Sequence, residues 1–286
     1  MIDDQTETLL EEQTHLGHVT GNTVVDFSFG QATHRGCVRE INEDAMVALP
    51  HSGIWVVADG MGGHARGDFA SRTVVESLGS LGVPLSIEDQ KARFLLRMQA
   101  ANHRIRRASE DEGLGTVGAT VAALLISEDR YTCVWAGDSR IYRMREGDDA
   151  AKQLTRDHVV VKPVTTDGVP KLDEEGRPVE RRALTRAVGV RDTIECDTVN
   201  GRVDDGDMFF LCSDGIVAHF SDEEISDYLV ETYGTPPQEI CDRFVAQTLE
   251  RGAKDNVTVI CLMLSRAEPL AEIDNLPLPD LKINWQ

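Results

Sequence analysis

The sequence predicts an α+β fold, specifically a four-layer α-β-β-α sandwich in which two central, mainly antiparallel sheets are flanked by helix pairs. Three observations lead there. Short apolar runs of strand length recur at 24–29, 45–49, 54–58, 120–126, 131–136, 208–212 and 257–264, separated by polar and turn-forming residues. Helical apolar patterns come in two pairs, one early and one late in the chain. Three of the strand-like runs lead an aspartate into a glycine-containing turn, at Asp59-Gly60, Gly137-Asp138 and Asp214-Gly215. A strand beginning just after Asp255 and running antiparallel to its neighbours would bring a fourth carboxylate to the same sheet edge. Periodicity carries the α+β class; the number of layers is an expectation that goes beyond it.

Taken in order, residues 1–22 are polar and acidic and are expected to form a flexible leader before a first strand at 24–29. Asn42-Glu43-Asp44 follows Arg39 and precedes the run Ala45–Leu49. The first helix pair is predicted over 68–79, with Ala70, Val74 and Leu78, and over 88–109, with Phe94, Leu95, Met98 and Ile105, both facing one sheet. The second begins at Ser221-Asp222-Glu223-Glu224, a capping-box pattern that opens a helix through Ile225 and Leu229. Its partner spans 236–249, with Ile240 and Phe244, and stops before Gly252. Residues 159–182 are polar and charged, with turn signals at Asp167-Gly168 and Glu175-Gly176, and read as a flap-like insertion over the site edge, a hairpin or an irregular loop. A single domain is expected over 23–266, followed by a tail at 267–286 that contains Pro269, Pro277 and Pro279.

Composition narrows the function classes. The 286 residues include 49 acidic and 29 basic side chains, a net charge of -20 that repels nucleic-acid phosphates and anionic lipid. No apolar run approaches the roughly 20 residues that span a bilayer. The first residues, with Asp3, Asp4, Glu7, Glu11 and Glu12, lack the basic start of a signal peptide, so a cytoplasmic location is expected. The six cysteines form no C-x-x-C pair and offer neither a zinc site nor a disulfide framework. Oligomeric state leaves no signal, and a monomer is the default.

Any one strand followed by Asp-Gly is ordinarily just a turn. Repetition changes the reading. Carboxylates gathered closely raise one another's pKa, and hard divalent cations such as Mg or Mn, which favour oxygen ligands, relieve that repulsion. Arg39 adds a planar fork suited to two phosphate oxygens. Asp138 alone has the simpler alternative of capping the Gly137 turn, and His64 and His158 read better as structural or solvent-facing residues than as acids.

In this arrangement the chain resembles the metal-dependent serine/threonine protein phosphatases of type 2C, in their bacterial branch. The resemblance runs in order through Arg39-Glu40-Ile41-Asn42-Glu43-Asp44, Asp59-Gly60-Met61-Gly62-Gly63-His64, Gly118-Ala119-Thr120, Gly137-Asp138-Ser139-Arg140, Leu154-Thr155-Arg156-Asp157-His158, Leu184-Thr185-Arg186-Ala187-Val188-Gly189, Ser213-Asp214-Gly215 and Asp255-Asn256. It implies two Mn2+ or Mg2+ ions bridged by Asp59, the first completed by Asp214 and Asp255, the second by Glu43 and the Gly60 carbonyl. A third, weaker ion would lie between Asp138 and Asp214. Asp44 and Asn256 would stand behind the ligands, Asp44 accepting from metal-bound water, and Arg39 would grip the substrate phosphate while water attacks phosphorus in line. The implied partners are proteins phosphorylated on Ser or Thr and a cognate kinase. The segments 56–71 and 134–142 look similar to phosphatases of type VI secretion.

Two departures bear on chemistry. Met61 stands where some relatives carry a histidine thought to protonate the leaving oxygen, so the general acid is unassigned. The flap reads differently from the helical form common in the bacterial branch. A competing function is a catalytically silent phosphoprotein-binding scaffold, although no metal carboxylate is missing. A nucleotide cradle at Gly62-Gly63 lacks the Lys-Ser/Thr pair that a phosphate-binding loop requires.

Overall fold

A computed structural model of the chain describes residues 16–266 apart from 21–22, 63–65, 80, 114, 167–168 and 174–175. The strands are β1 (Leu16–Thr20), β2 (Thr23–His34), β3 (Asp44–Leu49), β4 (Ile54–Met61), β5 (Gly118–Ala119), β6 (Val121–Ser127), β7 (Arg130–Ala136), β8 (Arg140–Met144), β9 (Lys152–Gln153), β10 (Val159–Pro163), β11 (Thr165–Thr166), β12 (Val169–Pro170), β13 (Glu180–Leu184), β14 (Asp197–Arg202), β15 (Met208–Cys212) and β16 (Val257–Arg266). The α-helices are α1 (Gly67–Glu76), α2 (Ile87–Asp111), α3 (Asp214–Val217), α4 (Asp222–Glu231) and α5 (Pro237–Glu250). One sheet has the order β1-β2-β16-β15-β8-β9 and the other β14-β7-β6-β4-β3, with β5 paired to β4. Their strand pairs are antiparallel.

Side-chain alternation along the strands builds the layers, because successive residues point to opposite faces. On β4, Trp55 and Val57 face the other sheet while Ile54, Val56 and Ala58 face α1 and α2. On β15, Phe209 and Leu211 face inward, whereas Met208, Phe210 and Cys212 face α4 and α5. Three apolar interfaces result: helix pair on sheet, sheet on sheet, and sheet on helix pair. Trp55, fully buried between the sheets, meets Phe27 edge-on at a centroid distance of 5.0 Å. Truncating such a side chain costs about 3–5 kcal/mol.

Residues 16–20 correct the expectation of a leader through residue 22. They pair with β2 from Leu16↔Phe27 to Thr20↔Thr23. The remainder of the leader, residues 1–15, and the tail at 267–286 lie outside the described residues. In the insertion, β10 and β13 pair from Val159↔Leu184 to Pro163↔Glu180, and β11 pairs with β12, so the segment is a hairpin. Among the described residues no helix is long and apolar enough to cross a membrane.

Candidate active site

Antiparallel pairing decides where the acidic residues fall. Asp59 lies near the end of β4, opposite Asp44 on β3. Asp214 follows β15 and Asp255 precedes β16; with Cys212 opposite Val259, both lie at one end of that pair. Asp138 follows β7 through Gly137, whose φ of +120° is a conformation that L side chains rarely adopt. Arg39 and Glu43 lie on the segment joining β2 to β3. Arg39, Glu43, Asp59, Gly60, Asp138, Asp214 and Asp255 line one cavity of about 470 Å³. Every metal-ligand candidate from the sequence is therefore on a single wall system, together with the phosphate-binding candidate.

Hydrogen bonds hold these groups from behind. Asn256 Oδ1 accepts from the Glu43 N–H at 2.8 Å, while its Nδ2 donates to the Arg35 and Ile41 carbonyls, both at 2.9 Å. Asp44 is buried, does not line the cavity, and accepts from Ser213 Oγ at 2.8 Å across the two sheets. The Asp59 N–H donates to Thr120 Oγ1 at 2.9 Å, and that hydroxyl shares a 2.7 Å hydrogen bond with Ser139, next to Asp138. Glu43 Oε1 accepts from the Gly67 N–H at the start of α1, 2.9 Å away, where the helix dipole favours an anion. A Cβ at position 60 would lie 2.0 Å from the Gly67 carbonyl oxygen, so only glycine lets β4 and α1 approach this closely. Arg39 is bound to Asp255 at 2.8 Å and half exposed.

Against this geometry, a model of the family described as protein phosphatase 2C matches residues 34–257. The chain belongs to the protein phosphatase 2C family. Serine/threonine protein phosphatase PstP of Mycobacterium tuberculosis is 32% identical over 234 residues, covering 81% of this chain and 44% of that protein. The chain thus spans less than half the length of this relative. Among solved structures, PppA, a key regulatory component of T6SS in Pseudomonas aeruginosa, is similar with a TM-score of 0.71 and 32% identity over 84% of this chain and 98% of that one. The catalytic domain of PstP in complex with two manganese ions is similar with a TM-score of 0.65 and 28% identity, over 84% of this chain and 99% of that one.

The donor set of this protein phosphatase 2C chain fits divalent cations by its charge. Burial, then the charges of Asp44, Asp214, Asp138 and Asp255, push the Asp59 carboxyl well above its ordinary range. Burial, then the charge of Asp255, likewise raise Asp214 above the ordinary carboxylate range. Burial with Asp214 and Asp157 raises Asp138 to about 6, and burial raises Asp44 to about 7. Among the described residues no three side chains already form a closed metal-donor group; the carboxyl groups stand apart on the cavity walls. All are hard oxygen donors, the class that Mn and Mg favour, and a cation among them removes the repulsion.

Sequence reasoning missed Arg182 and Leu184 on the cavity wall, along with Val217 and Ala218. Arg182 falls within the insertion, and its place on β13 two residues from Leu184 puts both on the cavity wall. Met61 and Gly62 also line the cavity. His158 does not: it stacks on Trp135, accepts from the Gly137 N–H through Nδ1 at 3.2 Å and meets Asp197 through Nε2 at 3.1 Å. His64 lies outside the described residues.

Proposed function

We propose that the chain is a cytoplasmic, monomeric protein serine/threonine phosphatase that hydrolyses phosphoserine and phosphothreonine with a binuclear Mn2+ or Mg2+ centre. The observation that carries this reading is the meeting of Arg39 with Glu43, Asp59, Asp138, Asp214 and Asp255 on one cavity. Asp59, Asp214 and Asp255 would hold the first ion, Asp59, Glu43 and the Gly60 carbonyl the second, and Asp138 with Asp214 a third. Such ions, when bound, supply positive charge to the phosphoryl oxygens and to the attacking water. Arg39 leaves Asp255 to bind two phosphate oxygens through its fork, orienting phosphorus and stabilising charge that spreads in the transition state. Asn256 and Ser213 hold the carboxylate-bearing segments in place. Met61 has no proton to give and so is not the acid toward the leaving oxygen.

The setting we propose is opposition to a cognate Ser/Thr kinase, and the likeness to PppA supports type VI secretion as the pathway. The purified chain should hydrolyse p-nitrophenyl phosphate and a phosphothreonine peptide with Mn or Mg. Activity should vanish with chelator and again in Asp59→Asn. Turnover that survives both treatments would overturn the reading, as would phosphopeptide binding without turnover in excess Mn.

A further inference from the structure

The flap hairpin brings a second guanidinium to the cavity. Arg182 lies on β13 opposite Val161, on the same side of the ladder as Leu184, and both Arg182 and Leu184 line the cavity. Its side chain is 53% exposed and donates one hydrogen bond to Asp157, at 2.7 Å. Asp157 is already satisfied without it. The largely buried Arg140 grips both Asp157 oxygens, Nε to Oδ1 at 2.9 Å and its second terminal nitrogen to Oδ2 at 2.8 Å. Arg140 also pairs with Asp222, so Arg182, more exposed and held to Asp157 by one hydrogen bond, is the less firmly bound guanidinium and the one able to turn toward the cavity.

Arg39 and Arg182 reach the site from different sides. Arg39 has Asp255, Glu43 and Asp59 as its charged neighbours, whereas Arg182 acts on Asp138 and Asp214. Asp214 feels both guanidiniums. A dianionic group seated above Asp214 therefore has one guanidinium from the β2–β3 segment and one from the flap.

Resting on the phosphatase reading, we propose that Arg182 is a substrate-binding residue, whose guanidinium turns from Asp157 to an oxygen of the phosphoryl group so that this group is held between Arg39 and the flap. Hydrogen bonds between charged partners set the scale of the effect. Arg182→Gln should lower kcat/KM about tenfold to a hundredfold for both p-nitrophenyl phosphate and a phosphothreonine peptide, mainly through KM, in saturating Mn. Inorganic phosphate, used as a competitive inhibitor, should weaken by a similar factor, and Arg182→Lys should recover part of the loss. The melting temperature should move little, because Arg140 still holds Asp157. Unchanged phosphate inhibition in Arg182→Gln overturns the proposal. So does a loss confined to the peptide, which would place the contact outside the phosphoryl group. Absence of Mn- or Mg-dependent turnover in the unaltered protein would instead sink the phosphatase reading itself.

Discussion

Replacing Asn256 by alanine tests whether the site depends on the clamp behind it. The side chain is 5% exposed and makes three hydrogen bonds, one to the Glu43 N–H and two to the Arg35 and Ile41 carbonyls. These span the whole segment that carries Arg39 and Glu43. At about 0.5–1.5 kcal/mol each, their loss should cost roughly 1.5–4.5 kcal/mol of stability, measured as the shift in a urea unfolding curve. Displacement of Arg39 and Glu43 by about 1 Å should lower kcat/KM by up to about a hundredfold and raise the Mn concentration needed for half-maximal rate. Asn256→Asp keeps the acceptor for Glu43 but cannot donate to either carbonyl and adds a charge beside Asp255, so it should do at least as much damage. A variant that loses stability yet keeps the Mn dependence of the parent would refute the positioning role. One that loses neither would refute the hydrogen-bond reasoning outright.

Without divalent ions, Asp59→Asn should be at least as stable as the parent, because it removes one of several mutually repelling buried carboxyls. In excess Mn the order should reverse, since ligand at a hundred times its Kd adds about 2.7 kcal/mol to a protein that binds it; thermal melts in chelator and in Mn give both comparisons. In chelator, stability should decline as pH rises from about 4, the ordinary carboxylate value, through about 6 and about 7, where Asp138 and Asp44 titrate in the fold. A carboxyl that binds its proton more tightly when folded adds stability below its unfolded pKa and loses it as pH passes the folded value. Saturating Mn should flatten that decline, and a chelated protein equally stable at pH 5 and pH 7.5 would contradict it. Phe244→Ala, which removes a fully buried ring stacked 4.5 Å from Phe210 at the face of α5, should cost about 3–5 kcal/mol in urea unfolding. Its Mn requirement should stay that of the parent.

The legible parts of the fold were those with a strong local period or a fixed cap. Strands β4, β6, β7, β15 and β16 announce themselves by apolar runs, and the predicted capping box is present, with Ser221 Oγ accepting from the Glu224 N–H and Glu224 accepting from the Ser221 N–H. Strand β8 was not separable from the turn before it, because Arg140 and Arg143 interrupt its apolar residues; both are tied to distant aspartates, Asp157 and Asp207. Strand β14, Asp-Thr-Val-Asn-Gly-Arg, is polar because it forms a sheet edge beside β7. At the site, the carboxylates were legible from their places at strand ends. Arg182 was not, since the pair Arg181-Arg182 in a charged segment looks like a solvated face until long-range pairing sets the hairpin over the cavity.

The site is a property of the contact between the sheets rather than of either one. Glu43, Asp59 and Asp138 come with the β3-β4-β7 sheet, Asp214 and Asp255 with β15 and β16. The Ser213–Asp44 and Asn256–Glu43 hydrogen bonds cross between them, above an inter-sheet core that includes Phe27, Trp55 and Phe209. The net charge of -20 would by itself oppose an anionic substrate, but charges beyond a Debye length of about 8–10 Å are largely screened, so the cavity's own groups decide. Five carboxylates there face two arginines, and only added cations can reverse the sign. On the proposed function, binding of phosphate and binding of cations should therefore be coupled, and reciprocally: whatever factor Mn adds to phosphate affinity, phosphate should add to Mn affinity.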